Sequence, residues 1–259
     1  MTPPARLRLL GAEVDLITPA DMLATVERWV AAGQRGVVAN HNLHSLHFHG
    51  RSKKMRAFFE AADLIQIDSM PMIAWGRLVG LPLRRQHRST YLDWREDFWS
   101  LADACGWRVF YLGGAPGVAE EACRRLSRRW PGVSFGARDG YFKPNEDAAV
   151  VDQINAFAPD IVFVGMGMPR QETWILKHHE AIRRGVLFNV GAAFDYEAGA
   201  QTAAPRWAGR IGLEWLFRLL TQPQRLAYRY LIEPWSLLPA AVGDVQAALR
   251  GDPRIVRPA

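Results

Sequence analysis

Cysteine, lysine and long apolar runs are what this chain has least of. Its 259 residues include two cysteines, Cys105 and Cys123, far apart and in no metal-binding or redox spacing. That excludes a disulfide scaffold and a thiolate metal centre, and reads both as small helix residues in a reducing compartment. No run approaches the roughly 18 apolar residues that mark a membrane span. The start, MTPPARLRLLGAEVDL, lacks the apolar block of a signal peptide, so the expected location is the cytoplasm. Internal repeats and low-complexity tracts are also absent.

What is present describes a globular protein with one sizeable core: 49% apolar and 22% charged residues. The formal net charge is +6, which favours an anionic partner: nucleic acid, anionic lipid or a phosphorylated ligand. Lysine accounts for only four of the 32 basic residues. Arginine suits bidentate phosphate binding, although coding bias in a GC-rich genome would give the same skew.

A strand-then-helix rhythm runs through the chain. Strands are expected at Gly36–Ala39, Leu64–Ile67, Trp107–Leu112, Val133–Ala137, Ile161–Val164 and Val186–Val190, with helices between them. The alternation predicts an α/β fold, a Rossmann-like parallel sheet flanked by helices. The texture changes near Thr202: Pro205 to Tyr230 carries five arginines, five aromatics and one acid. Residues 1–200 are therefore expected to form the core and 201–259 a helical appendage, whose final GDPRIVRPA reads as a frayed tail. That segment has three readings: a nucleic-acid surface, a solvated packing helix, or a face lying on anionic lipid.

Ligands of an open parallel sheet sit beyond the carboxyl ends of its strands. PDIVFVGMGMPRQETW, residues 159–174, places Arg170, Gln171 and Glu172 at such an end, with Pro169 suited to open the helix. Asp68 ends another strand, where it would either face a substrate or cap the helix from Met70. Asn40 and Asn42 follow a third strand and would contact substrate or stabilise a turn. Gly113, Gly114 and Gly117 resemble a phosphate-cradling turn without the full dinucleotide spacing. Asp195 and Glu197 could meet a ribose or be ordinary loop acids. His41, His44, His47 and His49 are dense enough to raise a metal site, but no thiolate or well-spaced carboxylate completes one.

Several ordered blocks together resemble the WecG/TagA/CpsF family of glycosyltransferases: NHNLHSL, ADLIQID, VFYLGGAPGVAEEA, DGYF, PDIVFVGMGMPRQETW, NVGAAFDYEAG and APRWAGRIGLEWLFRLLTQPQRLAYRY. The resemblance runs from about Gly36 to Leu231. It implies transfer of a sugar from a UDP-sugar to a polyprenyl-diphosphate-linked saccharide, with inversion to a β linkage and without bound metal. It puts the catalytic base on Asp68, with Asn40 and Asn42 as the polar pair upstream. It makes Gln171 a donor-pocket residue and brings Tyr141 and Asp195 near the nucleoside. Arg218, Arg225 and Arg229 match an arginine-rich appendage that closes over the site and meets the membrane, at the inner face of the plasma membrane.

Three departures bear on the sugars. Ser69 follows Asp68 where most members have Gly, and Asn40 stands where Thr is usual. RRQHRSTYLDW puts Arg88 and Thr90 where Gly and Asp are commoner. The donor stays open between glucose and N-acetylmannosamine types, for an exopolysaccharide or a cell-wall polymer. The implied mechanism has Asp68 take the acceptor proton while the departing UDP is met by appendage arginines and N–H groups of the Gly113-Gly114 turn, with Arg88 counted among the substrate-binding residues. A homo-oligomer is compatible with this reading. The competing reading, a non-catalytic basic nucleotide- or nucleic-acid-binding α/β domain, explains the charge but not Asp68 and Gln171 together.

Overall fold

A computed structural model of the protein describes residues 3–201, 214–252 and 255–257. The chain opens with an antiparallel hairpin, β1 (Arg6–Leu9) and β2 (Ala12–Asp15). Leu10 and Gly11 both take positive φ at its two-residue turn, as the right-handed strand twist demands. The hairpin went unassigned from sequence, although Leu7, Leu9, Ala12 and Val14 all turn inward while Arg8 turns out. Asp15 fixes it to the main sheet. Its buried carboxylate accepts from Arg6 Nε and Nη2, each at 2.8 Å, and from Ile65 N at 2.8 Å.

Helix α1 (Pro19–Ala31) then begins at a Thr18 capping box and leads into β3 (Gly36–His41). After β3 come α2 (Leu43–Arg51), α3 (Lys53–Glu60) and β4 (Leu64–Ile67). Next are α4 (Met70–Leu78), α5 (Tyr91–Ala104) and β5 (Arg108–Gly113). The rhythm continues with α6 (Val118–Arg129), β6 (Ser134–Arg138), α7 (Asp147–Phe157), β7 (Ile161–Gly165), α8 (Arg170–His178) and β8 (Val186–Asn189). All six strands of the main sheet are parallel, in the order β4-β3-β8-β7-β5-β6.

Strand periodicity divides the core. Val37, Ala39, Ile65, Ile67, Phe110, Leu112, Val162, Val164 and Leu187 face one layer, with α3, α8 and the hairpin. Val38, Leu64, Val109, Tyr111, Ile161, Phe163, Val186 and Phe188 face the other, with α1, α5, α6 and a dense aromatic cluster. Burial on both faces is why the strands read as continuous apolar runs.

Beyond β8 lie the short α9 (Ala193–Glu197), then α10 (Glu214–Thr221), α11 (Pro223–Leu231) and α12 (Leu238–Arg250). The expected frayed tail is instead partly a strand: β9 (Ile255–Arg257) pairs antiparallel with β1. Buried Asp244 of α12 also reaches the core, accepting from Leu10 N and Trp75 Nε1 at 2.9 Å each. The C-terminal segment is thus tied to the hairpin and to α4. Among the described residues, no helix is long and apolar enough to cross a membrane.

Candidate active site

Six strand ends converge on one edge of the sheet, and most of the sequence-selected residues lie along it. Asp68 directly follows β4 and its N–H donates to His41 O at 2.8 Å. The residue between it and α4 is Ser69, whose side chain makes no capping hydrogen bond. Beside it the chain returns: Ile67 bridges Arg88 in parallel fashion, and Ser89 N donates to Ile67 O at 2.8 Å. The Arg88 guanidinium, largely buried, pairs with Asp93 at 3.2 Å.

For Asn42 the local role is realised. Its side chain accepts from Ser45 N at 3.0 Å and caps α2. Asn40 lies inside β3, one residue before its end, and donates from Nδ2 to Asn189 O at 2.7 Å. Asn189 in turn donates to Glu172 Oε1 at 2.9 Å, and Gln171 Nε2 donates to the same oxygen at 2.7 Å. Gln171 Oε1 accepts from Gly167 N at 3.1 Å and from Gly191 N at 3.2 Å. A single amide thus pins the loops after β7 and β8, and a polar chain runs Gln171–Glu172–Asn189–Asn40 across three strand ends.

The network is buried: Gln171 is 1% exposed and Glu172 is 0% exposed. Glu172 Oε2 is buried without a hydrogen-bond partner. Burial raises the Glu172 pKa, against the hydrogen bonds from Asn189 and Gln171. Sequence reasoning placed Glu172 in the first turn without a role and passed over Asn189. The signal for Asn189 was a polar residue closing the apolar strand VLFN. Pro169 is the residue before α8 rather than its first member.

Farther along the edge, β5 and β7 nearly touch. A Cβ on Gly113, where φ is +154°, would lie 2.3 Å from Gly165 O. Gly113→Ala should therefore lower stability by about 1–3 kcal/mol or more, read as a fall in thermal midpoint; an unchanged midpoint would contradict the close approach. The Gly114 N–H donates to Gly165 O at 3.2 Å, so this amide of the expected phosphate-cradling turn is already engaged. Gly140 packs against Gly113, the site of its own Cβ falling 3.2 Å from Gly113 Cα, and the next residue, Tyr141, stands 74% exposed. An aromatic ring in solvent beside a strand end is suited to stacking on a base.

Asp195 lies in the first turn of α9. The Tyr111 phenol is raised by burial and then by the Asp195 charge, which places the two close together. Glu197 is structural, accepting from Tyr91 Oη at 2.8 Å and Arg95 at 3.2 Å. The histidines divide into two groups, the His41 and His49 rings meeting edge-on with centroids 5.5 Å apart. His41 is wholly buried, stacked on Phe59 with centroids 3.5 Å apart, whereas His44 and His47 reach Glu233 and Ser236. Arg229 is on α11, while the side chains of Arg218 and Arg225 lie outside the described residues, as do Arg206 and Arg210. Counting strand spacings, Asp68 and the Gly113 turn stand about 19 Å apart along the edge, room for an extended nucleotide-sugar.

A family model described as "Glycosyl transferase WecG/TagA/CpsF family" matches residues 7–249. An N-acetylglucosaminyldiphosphoundecaprenol N-acetyl-beta-D-mannosaminyltransferase of Bacillus spizizenii is 35% identical over 176 residues, covering 68% of this chain and 67% of the relative. A Staphylococcus aureus protein of the same name is 28% identical over 224 residues, covering 86% and 87%.

Proposed function

The chain belongs to the WecG/TagA/CpsF family of glycosyltransferases, and from that premise we propose that it moves a sugar from a UDP-sugar to a polyprenyl-diphosphate-linked saccharide, with Asp68 as general base. The donor is of the N-acetylmannosamine or glucose type, the first supported by the names of the relatives. The observation that carries the reading is Asp68 itself, directly after β4 at the sheet edge where the other strand ends meet.

Asp68 accepts the proton of the acceptor hydroxyl as its oxygen bonds to the anomeric carbon. The bond to the UDP oxygen breaks on the opposite face, inverting that carbon. Tyr141 stacks on the uracil and Asp195 meets the ribose. Gln171 acts on the donor by holding the Gly167 and Gly191 loops in place. Arg229, with Arg218 and Arg225, meets the charge that builds on the diphosphate, because guanidinium groups stay ionised and grip two oxygens. Since arginines carry that charge, turnover should survive a chelator; loss on chelation with recovery on adding a divalent ion would contradict this assignment.

The lipid carrier of the acceptor requires contact with a membrane surface, and α12 supplies a face for it. Leu238, Val242, Val245 and Leu249 are exposed at helical spacing, near exposed Leu231, Ile232 and Trp235. The net positive charge favours the anionic inner leaflet. Val242→Glu with Leu249→Glu should abolish sedimentation with phosphatidylglycerol vesicles while leaving the thermal midpoint in place. Retained sedimentation would move the membrane contact elsewhere.

A further inference from the structure

The C-terminal segment meets the core at a point two residues from the site. Helix α2 is capped by Asn42, whose side chain locks its first turn to the end of β3. From that turn His44 Nδ1 meets Glu233 Oε2 at 2.5 Å, and one turn later His47 Nδ1 meets Ser236 Oγ at 2.9 Å. Both partners belong to the 3-10 segment Glu233–Leu237, which follows α11 directly. Glu233 is 7% exposed, so its carboxylate is committed to this contact and not to solvent. Burial lowers the His44 pKa, and the Arg229 charge lowers it further, against the hydrogen bond to the Glu233 carboxylate. A neutral His44 that donates its Nδ1 proton to the Glu233 carboxylate satisfies all of these facts. The Arg229 effect also places that guanidinium within electrostatic reach of the first turn of α2.

We propose that the His44–Glu233 contact is a latch that sets Arg229 over the strand edge, where it grips the donor diphosphate. This inference rests on the UDP-sugar reading above. His44 and Glu233 are positioning residues: they touch no substrate, and they act through Arg229. Asp244 and β9 tie the far end of the appendage to the hairpin and α4, while the buried His44–Glu233 contact fixes the stretch next to Arg229 relative to Asn42.

The test is a double-mutant cycle on UDP affinity, measured by calorimetry on the full chain with UDP as the probe. Arg229→Gln and Glu233→Ala should each raise the Kd about tenfold, and the double variant should stay near that value rather than reach about a hundredfold. His44→Ala should match Glu233→Ala. His44→Asn, whose amide N–H replaces the Nδ1 proton, should restore affinity to within about threefold of wild type. A purely structural contact would lower the thermal midpoint, and its loss would multiply with that of Arg229→Gln. Multiplying losses, or wild-type affinity in Glu233→Ala, would overturn the latch. A wild-type protein that binds no UDP would overturn the proposed function first and the latch with it.

Discussion

Asp68→Asn should lower acceptor-dependent turnover by about 10²–10⁴-fold, the range for removing a general base, while UDP affinity stays within about twofold and the thermal midpoint barely moves. The substitution keeps the shape of the side chain and removes its capacity to take a proton. The loss should appear in kcat with the donor KM little changed, since a group that acts only as the bond forms contributes to the transition state and not to ground-state binding. Steady-state UDP release with a lipid-linked acceptor measures it. Near-normal turnover would remove Asp68 from the chemistry and direct attention to the buried network that runs from the adjacent strand β3 to β7.

Glu172→Ala should be the most damaging change in that network, and Glu172→Gln one of the mildest. Alanine leaves Gln171 Nε2 and Asn189 Nδ2 buried without their shared acceptor. Two such donors cost roughly 2–6 kcal/mol together, at about 1–3 kcal/mol each. The Gln171 clamp on Gly167 and Gly191 loosens with them, so donor affinity should fall as well. Glutamine keeps one acceptor oxygen for both donors and should remain within about 1 kcal/mol of wild type.

The pH dependence separates the two forms of residue 172. Burial raises the folded-state pKa of Glu172 above its unfolded value, so the folded protein holds that proton more tightly. Its contribution to stability is full below the unfolded pKa and is lost as pH rises through the folded one. The Glu172→Gln variant has no such titration. Its thermal midpoint relative to wild type should climb across that window and level off above the raised folded value. Parallel curves for the two proteins across the same pH series would show that Glu172 is not held neutral.

Much of the fold could be read from the chain because its signals are local. The apolar runs of β5, β7 and β8 and the Asp68 strand end follow from periodicity and chain order. The hairpin was missed because its turn begins with a leucine in the left-handed region, a conformation favoured for Asn or Gly. The pairing of β9 with β1 joins residues almost a whole chain apart, and no local pattern announces it. The same limit applied to the site. Strand-end logic selected Gln171, but its burial depends on Asn189 and Gly191, which are supplied by a different strand. His44 looked like one of four equivalent histidines until Glu233 was brought to it across 189 positions.

The central claim is acceptor-dependent transfer from a UDP-sugar, and one assay addresses it directly. Purified full-length protein would be incubated with a panel of UDP-sugars, including UDP-N-acetylmannosamine and UDP-glucose, with and without an N-acetylglucosamine-diphosphoundecaprenol acceptor. The account predicts UDP release that requires the acceptor and clearly prefers one donor, together with a new β-linked disaccharide on the lipid. No acceptor-dependent release from any donor in the panel, or equal release by Asp68→Asn, would contradict it.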